Sequence, residues 1–223
     1  HGALLVVDNT FTTPAMFRPM EHGADIVINS ITKFLAGHSD VTLGYVAARD
    51  PGLRNAIYDA AVTWGTTPSP FDCWLAERGL HTFDLRFEKA QATAAALADA
   101  LAGRDGIRQV IYPGRADHPH HNRAGTLFGG QFGNMLSFEI EGGRDEVNSF
   151  VLNAGGIPFA PTLGDVACTL SHPASSSHRA LTEEGRAALG ISEGYFRLSV
   201  GIEPPELVLA ELDAALAAVR GES

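Results

Sequence analysis

Along this chain the apolar positions keep two rhythms, and the change comes near residue 103. Ahead of it, compact apolar runs at residues 3–8, 25–29 and 43–48 predict three strands, the first buried on both faces. Thr12-Thr13-Pro14 closes the first run, and Pro14 with Pro19 predicts an irregular segment after it. Residues 51–62 predict a helix with Pro51 in its first turn. Ser69 reads as the cap of a second helix that opens on Pro70, runs to about Arg78 and stops before Gly79. From Asp84 to Ala102 apolar residues recur at helical spacing through Phe87, Ala90, Ala94, Leu97 and Leu101. This predicts the longest helix of the chain, closed by Gly103.

Beyond Gly103 alternation takes over. Residues 107–112, 135–140 and 195–200 alternate apolar with polar, the pattern of strands with one face on a core. Residues 143–153 and 204–220 supply two helices, the second opening at Pro204-Pro205. The whole predicts an α/β chain in two parts. Residues 1–84 form part of a mostly parallel sheet clad in helices, and residues 85–223 form a smaller α+β domain that begins with the long helix.

A hydrophobic fraction of 45% with 19% charged residues, over 223 residues, is that of an ordinary globular protein. The net charge of −10 leaves no basic stripe for nucleic acid, and the scarcity of lysine disfavours a membrane surface. No apolar run is long enough to span a bilayer, and the start lacks a signal-peptide pattern. Cys73 and Cys168 are too few for a disulfide scaffold and read as reduced, so a cytoplasmic location is expected.

The chemistry gathers around Lys33, one of two lysines in the chain, in the loop after the second strand. An amine desolvated there becomes a nucleophile towards an aldehyde. Ser30 and Thr32 set hydroxyls beside it, suited to a phosphate or, equally, to capping a helix. Asp8 ends the first strand, where a carboxylate can keep a pyridine nitrogen protonated or serve as a turn residue. Arg197 lies within an otherwise apolar strand; a buried guanidinium there needs an anionic partner, either a ligand carboxylate or an internal acid. His118, His120 and His121 lack the one-face spacing of helix ligands, and no metal site is expected from them. Cys73 and Cys168 have no basic neighbours in sequence and read as small hydrophobes.

Two stretches, Val7-Asp8-Asn9-Thr10-Phe11-Thr12-Thr13-Pro14 and Ser30-Ile31-Thr32-Lys33-Phe34-Leu35-Ala36-Gly37-His38-Ser39-Asp40, carry a family signature. They resemble the cofactor motifs of the Cys/Met-metabolism, or trans-sulfuration, family of pyridoxal-phosphate (PLP) enzymes. The likeness continues through Ser69-Pro70-Phe71-Asp72, Arg78-Gly79-Leu80-His81-Thr82, Tyr112-Pro113-Gly114, Leu163-Gly164-Asp165 and His172-Pro173-Ala174-Ser175 to Arg197-Leu198-Ser199-Val200-Gly201-Ile202-Glu203. It implies a PLP fold-type I large domain followed by a small C-terminal domain. It also implies that Lys33 binds the cofactor aldehyde and serves as the catalytic base. Asp8, Thr10, Ser30 and Thr32 complete the cofactor set, and Thr162 with Arg197 holds the substrate carboxylate. Family chains are nearly twice this length, and their front half carries the phosphate loop, a ring-stacking aromatic and residues that reach a neighbouring subunit. This chain is therefore expected to be the back part of such an enzyme, in a homo-oligomer built as a dimer of dimers.

The resemblance leaves several reactions open. Leu163-Gly164-Asp165 and residues 190–194 lean towards methionine γ-lyase. Ala167 stands where cystathionine enzymes carry a glutamate, which argues against a substrate with a distal ammonium group. The expected activity is a PLP-dependent γ-elimination on a small-molecule sulfur amino acid of the methionine, homocysteine or cystathionine type. A γ-replacement transferase, such as cystathionine γ-synthase or an O-acylhomoserine sulfhydrylase, is the alternative, and a catalytically incomplete piece that only scaffolds an oligomer is a third.

Overall fold

A computed structural model describes residues 2–222. The chain divides into two compact units, His1–Leu85 and Arg86–Ser223, and the division falls in the first turn of its longest helix.

In the first unit, strand β1 (Val6–Asp8) leads through helix α1 (Thr13–Met16) and a 3-10 turn (Pro19–His22) to β2 (Ile26–Ser30). A π-type turn (Ile31–Leu35) follows, then β3 (Gly44–Ala48), helix α2 (Pro51–Trp64) and helix α3 (Pro70–Leu80). The three strands form one sheet in sequence order, with β1 parallel to β2 and β3 antiparallel to it. Two expectations are corrected. The first run is a strand only over its last three residues, and Leu4, Leu5 and Val6 are about half exposed. The segment after Pro14 is not irregular: Pro14 and Pro19 each stand in the opening turn of a short helix, where a missing N–H costs nothing.

Helix α2 is capped by Asp50, whose side chain accepts from Leu53 N at 2.8 Å, and it ends on Gly65 in a left-handed conformation. Ser69 caps α3 by accepting from Asp72 N at 3.1 Å. Against expectation α3 runs through Gly79. A Cβ at that position would lie 2.4 Å from Ala36 O and 2.7 Å from Ala36 Cα. Gly79 is thus glycine because the helix backbone touches the backbone of the Lys33 loop, and not because it terminates the helix.

Helix α4 (Phe83–Leu101) supplies the start of the second unit from Arg86 on, and Phe87, Ala90, Ala94, Leu97 and Leu101 are all buried, as their spacing predicts. Strand β4 (Ile107–Ile111), helix α5 (His121–Leu127), β5 (Met135–Ile140) and helix α6 (Arg144–Asn153) follow. Then come β6 (Thr169–Ser171), the short α7 (Glu183–Ala187), β7 (Tyr195–Ser199) and α8 (Pro205–Val219). The four strands form an antiparallel sheet in the order β4-β5-β7-β6. Its core is aromatic: Phe196 stacks within 4.9 Å of Phe150 and 5.6 Å of Phe138, among Leu97, Leu136, Leu198 and Leu212. Strand β6 was not legible beforehand. Its three residues are all buried, so they show no alternation.

Candidate functional site

Strands β1 and β2 place the first group of residues. Asp8 stands opposite Ile28 in the parallel register, two residues short of Ser30. The hydroxyl of Thr10 accepts from Ser30 N at 2.9 Å, and Asp8 Oδ1 accepts from Thr10 N at 2.9 Å. One short chain of hydrogen bonds thus fixes the Asp8 carboxylate relative to the end of β2. A second link, absent from the sequence reading, supports it: buried Asn29 donates its amide to Asn9 O at 3.1 Å. The signal available for it was a pair of asparagines ending two neighbouring strands.

Beyond Ser30 the chain turns through Ile31–Leu35, and Lys33 leaves helical geometry there with φ −84° and ψ −130°. π-type turns of this kind are frequent at functional sites. Lys33 is half-buried. Asp8, Ser30, Thr32, Tyr45, Thr67 and Ser69 all border one open cleft of about 740 Å³. Thr32 Oγ1 donates to Leu43 O at 3.1 Å and accepts from Leu43 N at 2.9 Å, so it ties the loop to the residue directly ahead of β3.

In the second unit Arg197 lies on β7, opposite Ser137 of β5 and Ser171 of β6. It is half-buried, and burial pulls the pKa of its guanidinium down. Its Nε is buried without a hydrogen-bond partner. A guanidinium nitrogen left so is costly unless an anion completes it. Thr162 begins a strip, residues 162–168, that is stitched to β7: Gly164 N donates to the buried Ser199 Oγ at 2.9 Å, two residues along from Arg197. Asp165 Oδ1 accepts from Ala167 N at 2.8 Å and also faces the buried Arg86 of α4. Burial pushes the Cys168 thiol up to about 12, so it is protonated at neutral pH and is no nucleophile. Cys73 is exposed.

Comparison with known proteins is decisive at this point. Residues 1–217 match the family model described as Cys/Met metabolism PLP-dependent enzyme. The chain belongs to that family. Among curated members it is 42% identical over 216 residues to the cystathionine beta-lyase MetC of Bacillus subtilis, covering 97% of this chain and 55% of the relative. It is 40% identical over 215 residues to the cystathionine gamma-lyase of Dictyostelium discoideum, covering 96% and 55%. A crystal structure of cystathionine gamma synthase from Xanthomonas oryzae pv. oryzae, in complex with aminoacrylate and cysteine, superposes with a TM-score of 0.93. That structure is 45% identical, and the match covers 100% of this chain and 57% of that one. The chain thus spans a little over half the length of these relatives, and its fold is that of PLP fold-type I trans-sulfuration enzymes.

The residues present fit the family's cofactor. A primary amine, a carboxylate held by a backbone N–H, and a Ser30 hydroxyl that makes no helix-cap bond are the donors and acceptors that an aldehyde, a ring N–H and a phosphate require. Thr32 Oγ1 bonds both Leu43 O and Leu43 N in this structure.

Proposed function

We propose that the enzyme carrying this chain is a PLP-dependent lyase of sulfur amino acids, acting by γ-elimination on substrates of the methionine, homocysteine or cystathionine type. The observation that carries the amino-acid reading is the buried, unpartnered Nε of Arg197. A bidentate α-carboxylate satisfies it. When bound, pyridoxal phosphate supplies the sink for the electron pair left at the substrate's α-carbon. Lys33 takes the proton from that carbon and returns a proton to the product. Asp8 would hold the ring N–H and keep it charged, Ser30 would donate its hydroxyl to the phosphate, and Thr10 holds the strand ends in register. Thr32 acts by holding the Lys33 loop through its two bonds to Leu43. Thr162 borders the carboxylate subsite beside Arg197.

Elimination is favoured over replacement by two features of the second unit. The Leu163-Gly164-Asp165 turn is organised around its aspartate, which binds Ala167 N and faces Arg86. Ala167 leaves no carboxylate at its position to recognise a distal ammonium. The γ-replacement reading is kept because a cystathionine gamma synthase is a near structural relative. The test is 2-oxobutyrate release from methionine, homocysteine and cystathionine, with and without an added thiol. Release without thiol is expected, and product formed only with thiol would transfer the enzyme to the replacement class.

We further place the enzyme in the cytoplasm as a homo-oligomer, a dimer of dimers. Two free cysteines and the absence, among the described residues, of any helix long and apolar enough to cross a membrane are compatible with that location. Trp64, Tyr58 and Phe71 of the first unit are 82%, 69% and 65% exposed, more apolar surface than scattered single residues leave, which supports burial against further protein.

A further inference from the structure

Residues 166–168 are clasped to residues 201–203 in a way that backbone pairing alone does not require. Ile202 N donates to Val166 O at 2.9 Å, an ordinary strand-like link. Glu203 adds to it by spending both carboxylate oxygens on one residue: Oε1 accepts from Cys168 N at 2.6 Å, and Oε2 accepts from the Cys168 thiol at 3.2 Å. The sulfur in turn accepts from Gly201 N at 3.2 Å, which closes a ring of three hydrogen bonds. Gly201 is part of the device. A Cβ there would lie 2.3 Å from Val166 O and 2.5 Å from Glu203 Oε2, so only glycine lets the two segments meet.

The position of this clasp gives it a consequence. The strip it fixes begins at Thr162, is held midway by Gly164 N on Ser199 Oγ, and ends at Cys168, directly before β6. Strand β6 sets Ser171 opposite Arg197. The clasp is therefore the far tether of a segment bonded to the strand that carries Arg197, and Ser199 is the near one. Val166 O on Ile202 N holds the strip between these two points, and Glu203 fixes its last residue, Cys168. Hydrogen bonds to an ionised carboxylate are stronger than neutral ones, which suits a tether that must hold while ligands come and go.

We propose that Glu203 and Cys168 are positioning residues for the carboxylate subsite, acting through the strip 162–168 that they hold against the strand carrying Arg197. This rests on the reading of Arg197 as the anchor of the substrate carboxylate. Cys168 works here as a hydrogen-bond donor to Glu203, and neither residue touches the substrate.

The test uses the PLP-loaded enzyme carrying this sequence and norvaline, an amino acid without a leaving group, as the binding probe. Glu203→Ala is expected to raise the norvaline Kd and the substrate KM about tenfold, the value of one charge-assisted hydrogen bond, with kcat within about twofold. Cys168→Ser keeps a donor for Oε2 and is expected to stay within about twofold of wild type, whereas Cys168→Ala keeps only the backbone N–H to Oε1 and is expected to fall between wild type and Glu203→Ala. Amide hydrogen exchange on the cofactor-free protein gives a readout apart from activity: Glu203→Ala should speed exchange over residues 162–168 and leave residues 135–140 protected. Unchanged Kd and unchanged local exchange in Glu203→Ala would overturn the proposal. So would exchange raised evenly over the whole second unit, which marks a merely structural role. Arg197→Lys, measured alongside, separates the two readings. If it leaves norvaline binding intact the carboxylate anchor is wrong; if it weakens binding while Glu203→Ala does not, the clasp alone is wrong.

Discussion

Replacing Gly79 by alanine sets two physical effects against each other, and the structure decides which wins. Alanine is the better helix former, and inside a helix such as α3 the exchange should stabilise by about 0.5–1 kcal/mol. At Gly79, however, the new methyl would meet Ala36 O at 2.4 Å, Ala36 Cα at 2.7 Å and Ala36 C at 2.9 Å. All three atoms are backbone, so no side-chain rotation relieves the contact, and helix and loop must separate by about 1 Å to reach ordinary van der Waals distance. Forced overpacking of this kind costs about 1–3 kcal/mol. Since backbone cannot yield, the upper half of that range applies, and the net loss is about 1–2.5 kcal/mol. Urea denaturation of Gly79→Ala against wild type measures it, with Gly125→Ala in α5 as the control, because the nearest atom there is Phe132 Cζ at 3.8 Å. Gly79→Ala should lower the midpoint, and Gly125→Ala should hold or raise it. A Gly79→Ala protein as stable as wild type would refute the close approach of α3 to the Lys33 loop.

Two further outcomes follow from the second unit. Phe196→Ala, which removes a fully buried ring from the cluster with Phe138 and Phe150, should cost about 3–5 kcal/mol in denaturant titration, and a loss under about 1 kcal/mol would contradict the packing described. His172 is buried and must donate through Nε2 to the carbonyl of Glu193 at 2.7 Å, which leaves Nδ1 to accept from Ser175 Oγ at 2.9 Å. Burial lowers its pKa below the ordinary histidine value, and the nearby Arg144 and Arg186 act in the same direction against Glu193. A lowered folded-state pKa means the unfolded chain takes up the proton first, so stability should fall as pH drops below about 6.5. His172→Gln should flatten that slope relative to wild type; an identical slope in both proteins would show that the residue does not contribute.

Much of this fold is legible from period alone. The long helix announces itself because Phe87, Ala90, Ala94, Leu97 and Leu101 fall on one face and all five are buried. Strands β5 and β7 show through because one face of each meets the core while the other carries Ser137, Glu139 and Arg197. What failed did so for identifiable reasons. Leu4, Leu5 and Val6 read as a buried strand, since composition cannot tell whether a neighbour covers it. Gly79 read as a helix stop because a close backbone approach leaves the same residue as a C-cap does. Within the candidate site, Asp8, Ser30 and Lys33 are expected from their residue types and order, and Asp8 and Ser30 border one cleft. The engagement of Thr32 with Leu43, the Asn9–Asn29 link and the Cys168–Glu203 clasp depend on partners 11, 20 and 35 residues away, a separation that no local pattern records.

The central claim is that the amine of Lys33 is the group that binds the cofactor aldehyde. It is tested most directly by incubating the protein with pyridoxal phosphate, reducing with borohydride and mapping the labelled peptide. The chain has two lysines, Lys33 and Lys89, so the result is a choice between two sites. A pyridoxyl label confined to Lys33 and absent from Lys33→Ala is the expected result. A label on Lys89, or equal labelling of the Lys33→Ala protein, would contradict the account.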